Sequence, residues 1–317
     1  MWYSLLSTEV RDMKHKIYTH PRYFQHEMEE NHPESPKRLK SLETLFSQSP
    51  YKELIETVEC PLDETLLRYG HTQNYLSMLE EFSPDPDDNE LVRLDDDTSM
   101  NGYSLNAAKL GVASACQAID TLLKTDTQHI FQASRPPGHH AEPHRSMGFC
   151  LLNTVYLAAR HALNTGCKKV AILDFDVHHG NGTEVMMRAN PRDNALFIST
   201  HEADLWPYTG QMDENGFGNS YNYILPKASG SQEMRALYTD KIFPQIDAFN
   251  PELVILSAGF DAYKADPLAT LQWEVDDYAW LGESLAPYKT FSNLEGGYQV
   301  DDLKSCVDAY LKSLFQL

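Results

Sequence analysis

Apolar residues recur at helical spacing over 105–123, where Leu105, Ala108, Val112, Ala115, Ile119 and Leu122 form one stripe. Similar patterns predict helices over 153–163, 232–249, 276–285 and 301–315. Between them lie short β-branched or aromatic runs at 129–132, 170–173, 195–198, 253–256 and 290–294. Such runs alternating with helices predict an α/β fold, a mostly parallel sheet covered on both faces. The Pro- and Asp-rich stretch 83–97 reads as a long surface loop. No repeat, low-complexity tract or free linker divides the chain, so 1–317 is expected to be a single domain.

The segments just beyond the predicted strands carry the chemistry. Arg135-Pro136-Pro137-Gly138-His139-His140 comes after the first, and Asp174-Phe175-Asp176-Val177-His178-His179-Gly180 closes the second. Ser199-Thr200-His201 comes after the third, a segment from Gly259 to Pro267 after the fourth, and Glu295-Gly296-Gly297-Tyr298 after the last. Parallel sheets bind ligands beyond the carboxyl ends of their strands, where such loops converge. These loops therefore describe one active-site rim.

Asp174, Asp176 and His178 are spaced by two, so in extended chain they share one side. Carboxylate oxygen with imidazole nitrogen suits Zn²⁺, and Fe²⁺ uses the same donors. A buried Asp capping a turn beside a core histidine is the bland reading of that spacing. Asp266, before Pro267 in another strand-end loop, offers a third ligand. Asp176, His178 and Asp266 would leave one coordination position open, with Asp174 behind them. His139 and His140, after a stiff Pro-Pro-Gly turn, become general base and acid if they lie near that ion. Tyr298, after two glycines, is a candidate donor to a developing oxyanion.

Composition narrows the partners. The net charge of −20, from 46 acidic against 26 basic residues, argues against a nucleic-acid binder, whose affinity needs neutralised phosphates. The five cysteines are scattered without CxxC pairing, which argues against a disulfide framework or a Cys-rich zinc site. The N-terminal residues MWYSLLSTEVRDMKHK lack a long apolar stretch and no run is long enough to cross a membrane, so a cytoplasmic protein is expected.

With these residues laid out, the chain resembles the histone deacetylase superfamily, whose members include lysine deacetylases and acetylpolyamine amidohydrolases. The matching segments are His32-Pro33-Glu34-Ser35-Pro36 with Arg38, RPPGHHA at 135–141 and Gly148-Phe149-Cys150 with Asn153. They continue with DFDVHHGNGT at 174–183, SAGFDAYKADP at 257–267 and EGGY at 295–298, collinear over about 18–314. The resemblance implies an arginase–deacetylase fold and a zinc amidohydrolase acting on acetyl-lysine or another N-acetylated amine. It implies zinc on Asp176, His178 and Asp266, a catalytic His139–His140 pair with His140 the better base and acid, and Tyr298 polarising the scissile carbonyl. Phe149 would wall an acyl-lysine tunnel, with Gly148 and Gly297 beside it. Asp174 would bond His139 and join Ser199 at a structural K⁺ site, and Arg38 would line a cavity suited to acetate release.

Asn181 stands where class I enzymes carry Asp and has the pattern of class II enzymes and their bacterial relatives. An amide behind His140 raises that imidazole's basicity less than a carboxylate would. In eukaryotic polyamine deacetylases that resemble this chain, a Glu seven residues after the last zinc Asp reads a distant ammonium. That position is Trp273 here, with Glu274 next to it, so Trp273 is assigned to the substrate rim and acetyl-lysine is favoured over acetylpolyamines. The acidic residues Asp95, Asp96 and Asp97 still provide attraction for cationic ligands. A binuclear manganese ureohydrolase and a silent acetyl-ligand binder are the rival readings, and a homo-oligomer is compatible with all of them.

Overall fold

The computed structural model describes residues 14–88, 90–192, 194–212 and 219–317. The segment 1–13, which holds most of the N-terminal stretch without a long apolar run, lies outside the described residues.

The chain runs β1 (His15–Thr19), α1 (Pro36–Phe46), β2 (Ile55–Thr57), α2 (Gln73–Phe82), β3 (Val92–Arg93), β4 (Ser99–Met100), α3 (Ser104–Lys124) and β5 (His129–Gln132). It continues through α4 (Thr154–Asn164), β6 (Val170–Asp174), α5 (Asn181–Ala189), β7 (Ala195–Glu202), β8 (Ser220–Leu225) and α6 (Ser231–Leu237). It ends with α7 (Phe243–Phe249), β9 (Leu253–Ala258), α8 (Val275–Leu285), β10 (Thr290–Leu294) and α9 (Val300–Phe315). Eight strands form one sheet in the order β2-β1-β5-β10-β9-β6-β7-β8, every pairing parallel. The five strands read from the apolar runs are five neighbours at its centre, β5-β10-β9-β6-β7. Their motif-bearing loops consequently emerge side by side at one end of the sheet.

Strand alternation divides the core between the two faces. Ala171, Leu173, Val254 and Leu256 enter one hydrophobic cluster with residues of α1, α6, α8 and α9. Val170, Ile172, Leu253 and Ile255 enter the other with residues of α2, α3, α4 and α5. The helix predicted over 232–249 is interrupted by a π-helical turn at Tyr238–Ile242. Pro244, in the first turn of the helix beyond it, has no N–H to give the preceding turn. Within 83–97 lies β3, which pairs antiparallel with β4 just beyond that stretch, so the predicted loop ends in a small hairpin. Among the described residues no helix is long and apolar enough to cross a membrane.

Candidate active site

A pocket of about 190 Å³ opens beyond the carboxyl ends of the central strands, lined by Asp97, His140, Gly148, Phe149, His178, Leu205, Trp206, Leu268 and Tyr298. A larger cavity of about 460 Å³, beside Arg22, Cys60 and Lys109, lacks converging acid–base groups. The converging histidines and Tyr298 line the smaller one.

Its floor begins at the end of β6. Asp176 accepts His178 N–H at 2.9 Å on Oδ1 and Gly296 N–H at 2.8 Å on Oδ2. His178 Nδ1 lies 3.1 Å from Asp176 Oδ1 and 3.0 Å from Asp261 Oδ2, and Asp261 Oδ1 accepts Val177 N–H at 3.0 Å. Asp176, His178 and Asp261 are all buried, with ligand atoms within 4.8 Å of one another. A Cβ on Gly296 would stand 2.1 Å from Asp261 Oδ2, so the second residue of Glu-Gly-Gly-Tyr must be glycine for this packing.

A second carboxylate, Asp261, stands against His178 besides the expected Asp266. Asp266 is buried nearby, but its Oδ2 accepts Tyr298 N–H at 2.6 Å and Gln299 N–H at 3.2 Å, and its Oδ1 accepts Leu268 N–H at 3.0 Å. Three backbone donors turn Asp266 toward the loops, leaving Asp261 closer to His178. Burial, then the neighbouring Asp176, pushes the Asp261 carboxyl up to about 7. Burial disfavours a charge on His178, yet its bonds to Asp176 and Asp261 outweigh this and hold it at about 10. Buried carboxylates crowded around one imidazole form a donor set that a divalent cation would stabilise.

The His139 and His140 rings lie 3.8 Å apart. His139 Nδ1 lies 3.0 Å from Asp174 Oδ2, and His140 Nδ1 lies 2.8 Å from Asn181 Oδ1. Burial opposes charge on both rings. At His139 the adjacent Asp174 and Asp176 overcome it and raise the imidazole to about 10. At His140 burial acts together with the neighbouring His139 and His178, and the imidazole falls well below its ordinary value. Glu295 fixes the loop from below, its Oε2 accepting Gly138 N–H at 2.6 Å and His139 N–H at 3.2 Å.

Gly148 has φ +56° and Phe149 φ +69°. A Cβ on Gly148 would come within 2.4 Å of the His140 ring, so the wall can approach that imidazole only through glycine. Asp97 Oδ1 accepts Gly148 N–H and Thr98 Oγ1 accepts Phe149 N–H, each at 3.0 Å. Phe149 meets the Tyr298 ring edge-on at 5.7 Å. Burial raises the Tyr298 phenol well above its ordinary range, so it remains a donor. Arg38 is wholly buried, its guanidinium 4.9 Å from the Tyr298 ring centre and bonded to the carbonyls of Gly297 and Glu295 and to Glu34. Asp174 and Ser199 are cross-strand neighbours, and Ser199 Oγ contacts His201 Nδ1 at 3.0 Å.

Trp273 is not on the rim. It is 1% exposed and packs among Tyr238 and Tyr278 in the core. Alternation along the chain turns its indole inward, and Glu274 beside it pairs with Lys264 at 2.7 Å. The opposite wall instead comes from Trp206, whose ring meets His140 edge-on at 4.8 Å. Sequence reasoning misses Trp206, Leu268 and Asp261. Asp261 lies within SAGFDAYKADP, and the apolar pair Leu205-Trp206 before Pro207, just after β7, is the available signal for the wall.

The histone deacetylase domain family matches residues 32–314. An uncharacterized protein of Synechocystis sp. is 36% identical over 304 residues, covering 92% of this chain and 96% of its own length. A probable deacetylase of Archaeoglobus fulgidus is 31% identical over 301 residues, covering 90% of this chain and 81% of its own. The crystal structure of the HDA15 HD domain is similar with a TM-score of 0.87 at 28% identity, covering 96% of this chain and 89% of that one.

Proposed function

The chain belongs to the histone deacetylase family, and from that premise we propose that it is a zinc-dependent amidohydrolase removing acetyl groups from acetyl-lysine. One observation carries the reading: His140, His178 and Tyr298 line a single pocket directly above buried carboxylates. Asp176 and His178 would hold the ion, with Asp266 the third ligand that the family pattern implies and Asp261 the carboxylate nearer to His178. When bound, the metal supplies Lewis-acid polarisation of the acetyl carbonyl and acidification of water.

The protein's own groups do the rest. His140, with Nδ1 engaged by Asn181, offers Nε2 to the proton of the attacking water. Tyr298 donates its O–H to the carbonyl oxygen as that oxygen gains negative charge. The histidine pair returns a proton to the leaving nitrogen, so the product departs as an amine rather than an amide anion. His139, bonded to Asp174, keeps the cationic partner beside the base. A monovalent cation near Asp174 and Ser199 belongs to the same proposal, as does a cytoplasmic setting, supported by the free cysteines at 60, 116, 150, 167 and 306.

The aromatic walls Phe149 and Trp206 favour a linear alkyl stem. Asp97 in the lining is the one observation favouring an acetylpolyamine as second reading. The test is deacetylation of an acetyl-lysine peptide before and after exhaustive chelation, with metal counted per chain. Activity should vanish and return on adding about one equivalent of zinc. Full activity in metal-free protein sinks the proposal, and two required metals per chain would favour the ureohydrolase reading.

A further inference from the structure

Behind His140 stands a chain of contacts that reaches from the pocket to the surface. Asn181 presents Oδ1 to His140 Nδ1 at 2.8 Å and donates from Nδ2 to Glu142 Oε1 at 2.9 Å. The same Nδ2 lies 3.3 Å from Met147 Sδ. Glu142 is held in turn by Arg145, whose Nε and NH2 donate to its two carboxylate oxygens at 2.9 Å each. Its backbone is fixed as well, its N–H reaching Arg145 O at 3.0 Å and its carbonyl lying 3.0 Å from His71 Nδ1. Asn181 and His140 are buried, and the Glu142 side chain is 11% exposed against 54% for Arg145.

A neutral amide has two faces of nearly equal shape and opposite chemistry. With the oxygen toward His140, Nδ1 must carry the proton, and the imidazole lone pair lies on Nε2. With the NH₂ toward His140, Nδ1 must carry the lone pair, and Nε2 is protonated and useless as a base. Asn181 alone does not choose between them. The partners of its nitrogen do, because a carboxylate held by Arg145 and a thioether both accept and neither donates.

We propose that Glu142 is a positioning residue for the reaction: it locks the Asn181 amide so that His140 holds its proton on Nδ1 and turns a free Nε2 to the pocket. The inference rests on the reading of His140 as general base. It separates the two histidines by construction. His139 has its carboxylate in direct contact, whereas His140 has one an amide away, oriented by it without being charged by it. The carboxylate missing at position 181 is thus supplied from position 142.

Four variants of the zinc-loaded enzyme test this, with imidazole ¹⁵N spectra of selectively labelled protein as a second readout. Glu142→Gln frees the amide to flip, and kcat should fall about 10–100-fold with KM little changed, less than the loss of about 10²–10⁴-fold for a whole general base, because part of the population keeps the working tautomer. Arg145→Ala leaves the carboxylate in place and should keep most of the activity. Asn181→Asp alone sets two carboxylates against each other and should be poor. Asn181→Asp combined with Glu142→Gln moves the carboxylate into contact with His140, backed by a donor amide, and should recover about ten-fold or more over Glu142→Gln. A loop-anchoring role for Glu142 would give no such recovery and would make Arg145→Ala as damaging as Glu142→Gln.

The spectrum of the unmutated protein, with the His140 signals assigned by difference from His140→Ala, should show the proton on Nδ1. Glu142→Gln should shift population toward the Nε2-protonated form. A wild-type His140 protonated on Nε2, or an unchanged tautomer and kcat in Glu142→Gln, overturns the proposal. If His140→Ala retains full turnover, the base assignment fails instead, while the tautomer shift still reports on Glu142.

Discussion

At the floor of the pocket, carboxylates are held by main chain. Asp176 takes the amides of His178 and Gly296, Asp266 those of Leu268, Tyr298 and Gln299, and Glu295 those of Gly138 and His139. At the mouth the parts are side chains on loops: Trp206 and Leu268 are half-buried, and Tyr208, two residues from Trp206, is 72% exposed. Backbone amides cannot swing away, so the floor keeps its charges in place at a fixed geometry. At the mouth Gly148 and Phe149 are anchored by Asp97 and Thr98, while Trp206 presents its ring from a half-buried loop position. Turnover should therefore depend on the floor and selectivity on the mouth.

The largest effects should come from the floor's ligands. Asp176→Ala and His178→Ala should abolish both activity and zinc retention, a loss beyond the roughly 10²–10³ that one oxyanion donor supplies. Asp261→Ala and Asp266→Ala divide the two candidate third ligands. The variant that loses stoichiometric zinc, measured by elemental analysis after dialysis, identifies the ligand. The other should keep the metal with reduced affinity, about 10–100-fold as for an outer partner. If both retain zinc at wild-type affinity, neither is the third ligand.

Next in size is the Tyr298 hydroxyl, the proposed donor to the developing oxyanion. Tyr298→Phe should lower kcat about 10²–10³-fold while KM changes little, because the hydroxyl acts on charge that develops after binding. His140→Ala should be at least as damaging and His139→Ala less so. A KM effect in Tyr298→Phe as large as its kcat effect would move this residue from the floor's chemistry to the mouth's binding.

The same division governs what is legible in the sequence. Floor residues sit in contiguous motifs at the ends of central strands, where five apolar runs mark both the sheet and its functional edge. Strands β1, β2 and β8 are not legible, because their sequences HKIYT, IET and SYNYIL mix polar and apolar positions at or near the sheet's edges. The wall built by Trp206 and Leu268 is assembled from single residues of separate loops, which no periodicity announces. Trp273 shows the reverse error. Counting residues from Asp266 locates it correctly along the chain but not in depth, and its indole enters the core beside Tyr238. Asp266 is legible from its place before Pro267 and from the family pattern, but the sequence does not reveal that the backbone amides of 268, 298 and 299 engage it while Asp261 stands against His178.

The smallest expected effect is the choice among substrates, and it tests the mouth alone. Phe149 and Trp206 face the pocket with aromatic surface, which takes up a methylene stem whether it ends in a peptide or in a second amine. The discriminating charge must then lie further out. Glu274 cannot serve, since Lys264 neutralises it and Trp273 beside it is buried. Asp97 remains, but its Oδ1 already accepts Gly148 N–H, so part of its charge is committed to shaping the wall. An acetyl-lysine tripeptide should accordingly exceed N8-acetylspermidine and acetylputrescine in kcat/KM, by a margin of a few-fold. Trp206→Ala should leave that margin nearly unchanged and raise KM for both substrate types by about ten-fold, roughly 1.4 kcal/mol of lost apolar contact, with kcat nearly unchanged. A ten-fold preference for either polyamine would reassign the mouth to cation recognition through Asp97 and leave the floor's chemistry as described. A large kcat loss in Trp206→Ala would instead break the separation itself, since the wall that touches His140 edge-on would then be positioning the base.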